Sequence, residues 1–297
     1  MKKRATQEDN WTYINKWYLI IPLAVLLLLY VAPLCRMLYM SLFQFNGVGK
    51  PMGNFTFEYY LDFFTSSYYW GVLGRTMYLG LLSTVIIVVI GYPMAYKMAR
   101  TRGRLRNLMN AVVILPLWVS ISVRLFGWSN VMSSNGFISR FVGLFTGENP
   151  VIIGTNAAIV IGLVYCSLSY FIMVMVGPLE NIHPSVEEAS YVFGAGFYRT
   201  FFLITLPMTA KAAVYAGILV FALNTAAFVV PVMLGSGKIT VMTNLIYNRA
   251  VYSYDWSFAS ALSVIFMITA FAITAIGNQL SRKKPSKVEQ REEEEIK

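Results

Sequence analysis

Six stretches of this chain carry no charged side chain for long enough to cross a lipid bilayer: 17–35, 76–96, 107–123, and runs within 149–179, 212–237 and 256–281. The hydrocarbon core takes about 20 apolar residues as helix. Backbone amides find no partner in lipid, so a spanning segment must satisfy its own hydrogen bonds, which a helix does. Composition agrees: 57% of side chains are hydrophobic and 13% charged, where a soluble chain carries about a quarter charged. The expected fold is all-α, a polytopic membrane protein with six transmembrane helices. The third run is the shortest and ends at Arg124, whose long side chain can snorkel to the headgroups.

Lys2, Lys3, Arg4 and Lys16 precede the first run, as in a signal peptide, but its apolar core is too long and Cys35-Arg36-Met37 offers no small-residue cleavage site. It is expected to stay as an uncleaved helix. Residues 1–16 then form an N-terminal segment, 17–281 the spanning domain and 282–297 a charged, solvated tail with its Glu292 to Glu295 run. Lysine and arginine set the orientation. The N-terminus, the tail, the second connection (Lys97, Arg100, Arg102, Arg104, Arg106) and the fourth (Arg199, Lys211) hold more than twice the basic residues of the opposite side. Both termini and the 180–211 connection are therefore expected in the cytoplasm, with the chain in a bacterial inner membrane. The net charge of +10 is read as this orientation signal, and no nucleic acid partner is expected. Cys35 and Cys166 both sit in apolar runs and read as small hydrophobes.

Nothing in the spans offers a driving force. Secondary transporters use ionisable groups buried in the bilayer; here Glu180 and Asp255 border spans, and the single histidine, His183, lies in a connection. Gly235-Ser236-Gly237-Lys238-Ile239-Thr240 resembles a piece of a phosphate loop, but Val232 stands where its first glycine belongs and Ile239 where Ser or Thr must follow the lysine. A plain glycine turn is the better reading. No metal ligand cluster, catalytic residue or cofactor is expected in this chain.

The 180–211 connection is too long and patterned for a linker. Ser185-Val186-Glu187-Glu188 fits a capping box, with Ser185 accepting from the Glu188 amide. Gly194 is placed to end that helix. Phe197, Phe201 and Phe202 then recur near helical spacing before Pro207. Helices this short are marginal alone and must pack on something, either the chain's own surface or a separate motor subunit.

Glu188-Ala189-Ser190, three residues, Gly194, nine residues, then Ile204-Thr205-Leu206-Pro207 resembles the "EAA" loop of binding-protein-dependent ABC transporter permeases. Ser190 replaces the second alanine, a small-for-small change tolerable in a tight contact. The resemblance implies a type I importer permease fold in which Ser185, Glu187, Glu188, Ala189, Ser190, Gly194, Ile204, Leu206 and Pro207 form the segment coupled to the ATPase, with Glu188 and Gly194 orienting the contact. It further implies a second permease subunit (a heterodimer), two ATPase subunits holding ATP-Mg, and an extracytoplasmic solute-binding protein. Leu115-Pro116-Leu117-Trp118 with Arg124 and Trp128, and Phe228-Val229-Val230-Pro231 with Leu234-Gly235, resemble the spermidine/putrescine permease branch. This chain has Ala226-Ala227 where that branch commonly has Gly-Asp, and Leu168-Ser169-Tyr170-Phe171 where it tends to have Leu-Pro-Phe.

Candidate path residues follow from chemistry. Pro116 frees a backbone carbonyl in the third run. Asn224 and Thr225 are costly against lipid and belong inside. Trp118, Trp128, Tyr165 and Tyr170 could face a cationic amine or anchor at the membrane interface. The expected solute is small and polar or cationic, with polyamines favoured over other amines, opines, phosphonates or ferric ion. The alternative is an ion-coupled transporter or channel working without an ATPase.

Overall fold

A computed structural model describes residues 5–47, 53–147 and 151–281. Lys2, Lys3, Arg4, Lys50, Glu148 and the 282–297 tail lie outside the described residues. Among those described there is no named strand. In chain order the helices are α1 (Ala5–Met40), α2 (Glu58–Thr65), α3 (Ser67–Arg100), α4 (Arg104–Trp118), α5 (Ile121–Met132), α6 (Phe137–Thr146), α7 (Asn156–Glu180), α8 (Pro184–Val192) and α9 (Phe197–Thr200). A π-helical turn (Phe201–Thr205) runs into α10 (Leu206–Thr225), followed by α11 (Val229–Leu234), α12 (Met242–Tyr247), a second π turn (Asn248–Tyr252) and α13 (Trp256–Ser281).

Five segments are long and apolar enough to span: Ile20–Met40, Ser67–Arg100, Asn156–Glu180, Phe197–Thr225 and Trp256–Gln279. A sixth exists if Arg104–Trp118 and Ile121–Leu144 count as one, and these are bent by 98°. The third run is thus not the continuous helix over 107–123 that its composition suggested. Pro116 lacks the amide that would bond the carbonyl four residues back, and Val119 and Ser120 follow in extended conformation (ψ 135° at both) before α5 begins. The fifth span also differs: its helix starts at Phe197, well before residue 212, and ends at Thr225, leaving Val229-Pro231 to the separate α11, which Phe228 caps.

The chain divides into two compact units. One holds residues up to Ser66 with Ile246–Ile265. There the Ser41 hydroxyl meets Tyr60 Oη at 2.8 Å, Tyr59 Oη accepts from the Phe45 amide at 2.9 Å, and an isolated Phe43–Phe55 bridge closes a short hairpin. The other unit, Ser67–Leu245 with residues from Phe266, carries the candidate site. It is built on α3 against α7. Near one end Leu79, Leu125, Ile159, Leu163, Val230 and Leu234 form an apolar cluster. Toward the other, Ile87, Tyr92, Phe171, Met175, Leu179, Ala216 and Val220 form a second. Gly91 lets the two long helices meet, since a Cβ there would sit 2.6 Å from the Phe171 ring.

Hydroxyls within the spans bond their own helices. Thr76, Ser83, Thr84 and Thr225 each donate to the carbonyl four residues earlier at 2.7–2.9 Å. A polar side chain in lipid is thereby satisfied without a neighbour. At residues 235–238, Lys238 N bonds Gly235 O at 3.0 Å with Ser236 at φ 48° and Gly237 at φ 70°, the expected turn.

Candidate functional site

Helix α8 begins two residues earlier than a Ser185 cap would place it. Pro184 occupies the first helical position, where its missing N–H costs nothing, so His183 is the cap and its Nδ1 accepts from Ser185 N at 3.3 Å. Ser185 lies inside the first turn with its hydroxyl 2.8 Å from the same Nδ1. The predicted Ser185–Glu188 box is replaced by this His183 cap.

Consecutive helical residues point about 100° apart, so Glu187 and Glu188 cannot both face one side. Glu187 turns inward and is buried; Glu188 is exposed. Arg100, at the end of α3, grips the buried carboxylate side-on: Nη2 donates to Oε1 at 2.8 Å and Nε to Oε2 at 3.2 Å. Tyr96 Oη donates to Oε2 at 3.2 Å, and Thr205 Oγ1 to Oε1 at 3.0 Å. Arg100 Nη1 also donates to the carbonyls of Leu179 and Ile182 at 3.2 and 3.1 Å. One carboxylate therefore ties α8 to α3 and to the π turn that opens the fifth span. Burial pushes the Glu187 carboxyl up, but the bonds from Arg100 and Thr205, the Arg100 charge and the Tyr96 bond outweigh it and hold it below its ordinary value.

Ser190 is also turned inward. Its hydroxyl donates to Glu187 O at 2.7 Å and lies 2.7 Å from Thr200 Oγ1. The substitution of serine for alanine thus adds an internal clasp between α8 and α9, away from the exposed face. Helix α8 ends in a Schellman motif: Ala195 N bonds Ser190 O at 3.0 Å, Gly194 N bonds Tyr191 O at 2.9 Å, and Gly194 sits at φ +80°. Just before that glycine, Val192 and Phe193 are 85% and 90% exposed, and Tyr198 follows at 76%. Ala189 is exposed as well.

Phe197 and Phe201 contact the Tyr96 ring at 6.0 and 5.6 Å, whereas Phe202 is turned outward. Thr205 is fully buried, Ile204 and Leu206 are half-buried and Pro207 is exposed. Pro207 gives the physical reason for the π turn: it cannot donate to Leu203 O, and its ring crowds that carbonyl. The turn widens instead, with Leu206 N bonding Phe201 O.

The path candidates separate. Trp128 and Tyr165 meet with ring centroids 5.3 Å apart, and the Arg124 guanidinium lies 5.8 Å over the Tyr165 ring. Arg124 does not snorkel: its Nε and Nη1 are buried, because the break before α5 turns this helix away from the axis of α4. Asn224 is buried and accepts from the Ser167 hydroxyl at 2.6 Å. Thr225 is buried with its methyl against Gly80. Pro116 is half-buried, and Trp118 (87% exposed) and Tyr170 stand apart from these groups on exposed faces.

Residues 87–284 match the sequence model of the family described as binding-protein-dependent transport system inner membrane component. The chain belongs to that family. It is a membrane-spanning permease subunit of the ABC importer class, and the segment just described lies within the matched region. The spermidine/putrescine transport system permease protein PotB of Escherichia coli K12 is 28% identical over 224 residues, 74% of this chain and 81% of its own length. PotB of Haemophilus influenzae is 28% identical over 213 residues, covering 70% and 73% of the two chains. Among solved structures, a bacterial ABC transporter that imports the acidic polysaccharide alginate superposes with a TM-score of 0.75 over 94% of this permease and 99% of that chain, at 16% identity. The inward-facing MetNI methionine ABC transporter gives 0.54 over 70% and 92% at 18%. These likenesses establish the type I permease fold.

Arg100, Tyr96, Thr205 and Thr200 are the functional neighbours that the sequence pattern left out. In the sequence Arg100 reads only as an orientation charge.

Proposed function

We propose that this permease forms part of the translocation path for a small polar, amine-bearing solute, and that ATP-driven motion enters it through residues 184–207. In this reading the 180–211 connection and both termini are cytoplasmic. Two separate ATPase subunits hold ATP-Mg, a second permease subunit completes the path, and an extracytoplasmic solute-binding protein delivers the solute. The chain itself performs no covalent chemistry. The polyamine class is supported by the names of its PotB relatives.

The observation that carries this reading is the two-sidedness of α8. Glu187 is fixed inward to α3 and to the start of the fifth span. Glu188, Val192 and Phe193 stand outward with nothing of their own chain over them. Exposed aromatic and branched side chains at a polar connection mark a protein contact. Force on the outer face would pass through the Arg100–Glu187 pair into two spans.

Phe193→Asp and Glu188→Ala test the assignment. Both should leave membrane insertion and thermal stability within about 0.5 kcal/mol, as exposed substitutions do. Both should sharply reduce co-purification of the ATPase partner and ATP-driven uptake. Unchanged assembly and uptake in both variants would contradict it.

A further inference from the structure

Between the end of α1 and the start of α13 lies a cavity of about 590 Å³, lined only by residues of the unit that holds the chain up to Ser66 with Ile246–Ile265. Arg36, Met37 and Met40 line it from one face of α1, and Trp256, Ser260 and Ser263 from one face of α13, as helical spacings of three and four residues allow. Arg36 is about 6 Å along the helix axis from Met40, the last residue of α1. Trp256 opens α13 and is half exposed, the position of an aromatic anchor at the membrane interface. The cavity is therefore at headgroup depth. Two of its polar groups have no partner. Arg36 is exposed and makes no ion pair or hydrogen bond among the described residues. Ser260 is only 8% exposed, and its hydroxyl bonds nothing among the described residues, whereas the neighbouring Ser263 donates to Ala259 O at 2.8 Å. Other span cations, Arg75 and Lys211 among them, also lack an ion pair there. The cavity and the unpartnered Ser260 are what single out Arg36.

We propose that this cavity holds the headgroup of an anionic phospholipid, with the phosphodiester on Arg36 and a headgroup oxygen on the Ser260 hydroxyl. A guanidinium pairs with two phosphate oxygens at once, and basic pockets between spans are built for such headgroups. The lining carries one cation and no carboxylate, so a single negative charge is met and a headgroup ammonium is not. The nearby Asp255 is engaged as the cap of α13, its Oδ1 accepting from Phe258 N at 3.0 Å. Below the cavity α1 exposes apolar side chains from Ile20 to Val31, a surface for the acyl chains. A second protein chain is the competing occupant. An arginine beside a free hydroxyl at the depth where phosphates are the abundant anions favours lipid. The bound lipid then ties α1 to α13.

The test uses the whole transporter, stripped of lipid in detergent and titrated with dioleoylphosphatidylglycerol, dioleoylphosphatidylethanolamine or inorganic phosphate. Bound lipid is counted by native mass spectrometry, and thermal shift is read alongside. The proposal expects phosphatidylglycerol to bind and stabilise at a concentration at least about fivefold below that of phosphatidylethanolamine, what one arginine contributes toward an anionic lipid, and inorganic phosphate to give no shift. Arg36→Gln should remove that preference, and Arg36→Lys should keep part of it. Ser260→Ala should weaken phosphatidylglycerol binding about fivefold, the equivalent of one hydrogen bond. Equal binding of both lipids, a preference that survives Arg36→Gln, or a shift with inorganic phosphate as large as with phosphatidylglycerol would overturn it. Where Arg36→Gln fails to assemble, Ser260→Ala decides, and phosphatidylglycerol binding at wild-type strength in that variant would overturn it. Loss of the second permease subunit from either variant with the lipid count unchanged would put protein in the cavity, and overturns it as well.

Discussion

Adjacent carboxylates with opposite fates carry much of the account at residue scale. Glu187 is enclosed by Arg100, Tyr96 and Thr205, while Glu188 faces out. Removing one partner of such a pair strands the other. Glu187→Ala should cost about 3 kcal/mol, the low end of the range for breaking a buried pair, because Arg100 keeps its bonds to the carbonyls of Leu179 and Ile182. A double-mutant cycle with Arg100→Ala, read by thermal denaturation, measures it; additive effects would contradict the pairing. The pH dependence has a definite sign. The Glu187 carboxyl is held below its ordinary 4.5, so its contribution is full above that value and is lost as pH falls through the depressed one. Hydrogen-exchange protection of α8 should stay level from about pH 8 to pH 5, outside the range of an ordinary carboxylate, and fall only in stronger acid. Gly194→Ala should cost about 1 kcal/mol, since a side chain at φ +80° strains the backbone. The helix-ending Gly194 was legible in the sequence because its role depends on local conformation. The Arg100 partner was not, because Arg100 and Glu187 are 87 positions apart and only the packing of α3 on α7 brings them together.

Elements divide in the same way. Lack of charge and a length of about 20 residues suffice to find α3, α7 and α13, because lipid demands only those two properties. They say nothing of direction. The third run therefore reads as one helix, although α4 and the α5–α6 segment are bent by 98°. That bend decides where Arg124 goes, which is why the snorkelling expectation failed. Pro116 was visible as a breaker, but the extended Val119-Ser120 pair that completes the bend has no local signature. The fifth span teaches a related lesson. Its widened turn follows from Pro207, and Thr205 reaches Glu187 within it. Pro207→Ala restores the donor to Leu203 and should let the turn tighten to an α-helix, moving Thr205 off Glu187. Faster exchange of α8 amides, with slower exchange at 203–206, is the expected outcome; an unchanged pattern would show that tertiary packing, and not proline, holds the turn open.

At the scale of the whole molecule, the chain is a membrane-spanning permease subunit. The proposal is that work reaches its apolar spans from a separate ATPase, through the 184–207 segment and its exposed Val192-Phe193 edge. The measurement that tests this most directly is solute uptake into proteoliposomes holding this permease and its second permease subunit, with and without the ATPase partner and ATP. Uptake that requires both the ATPase and ATP, and is indifferent to proton and sodium gradients, is the predicted result. Uptake driven by an ion gradient without the ATPase would contradict it.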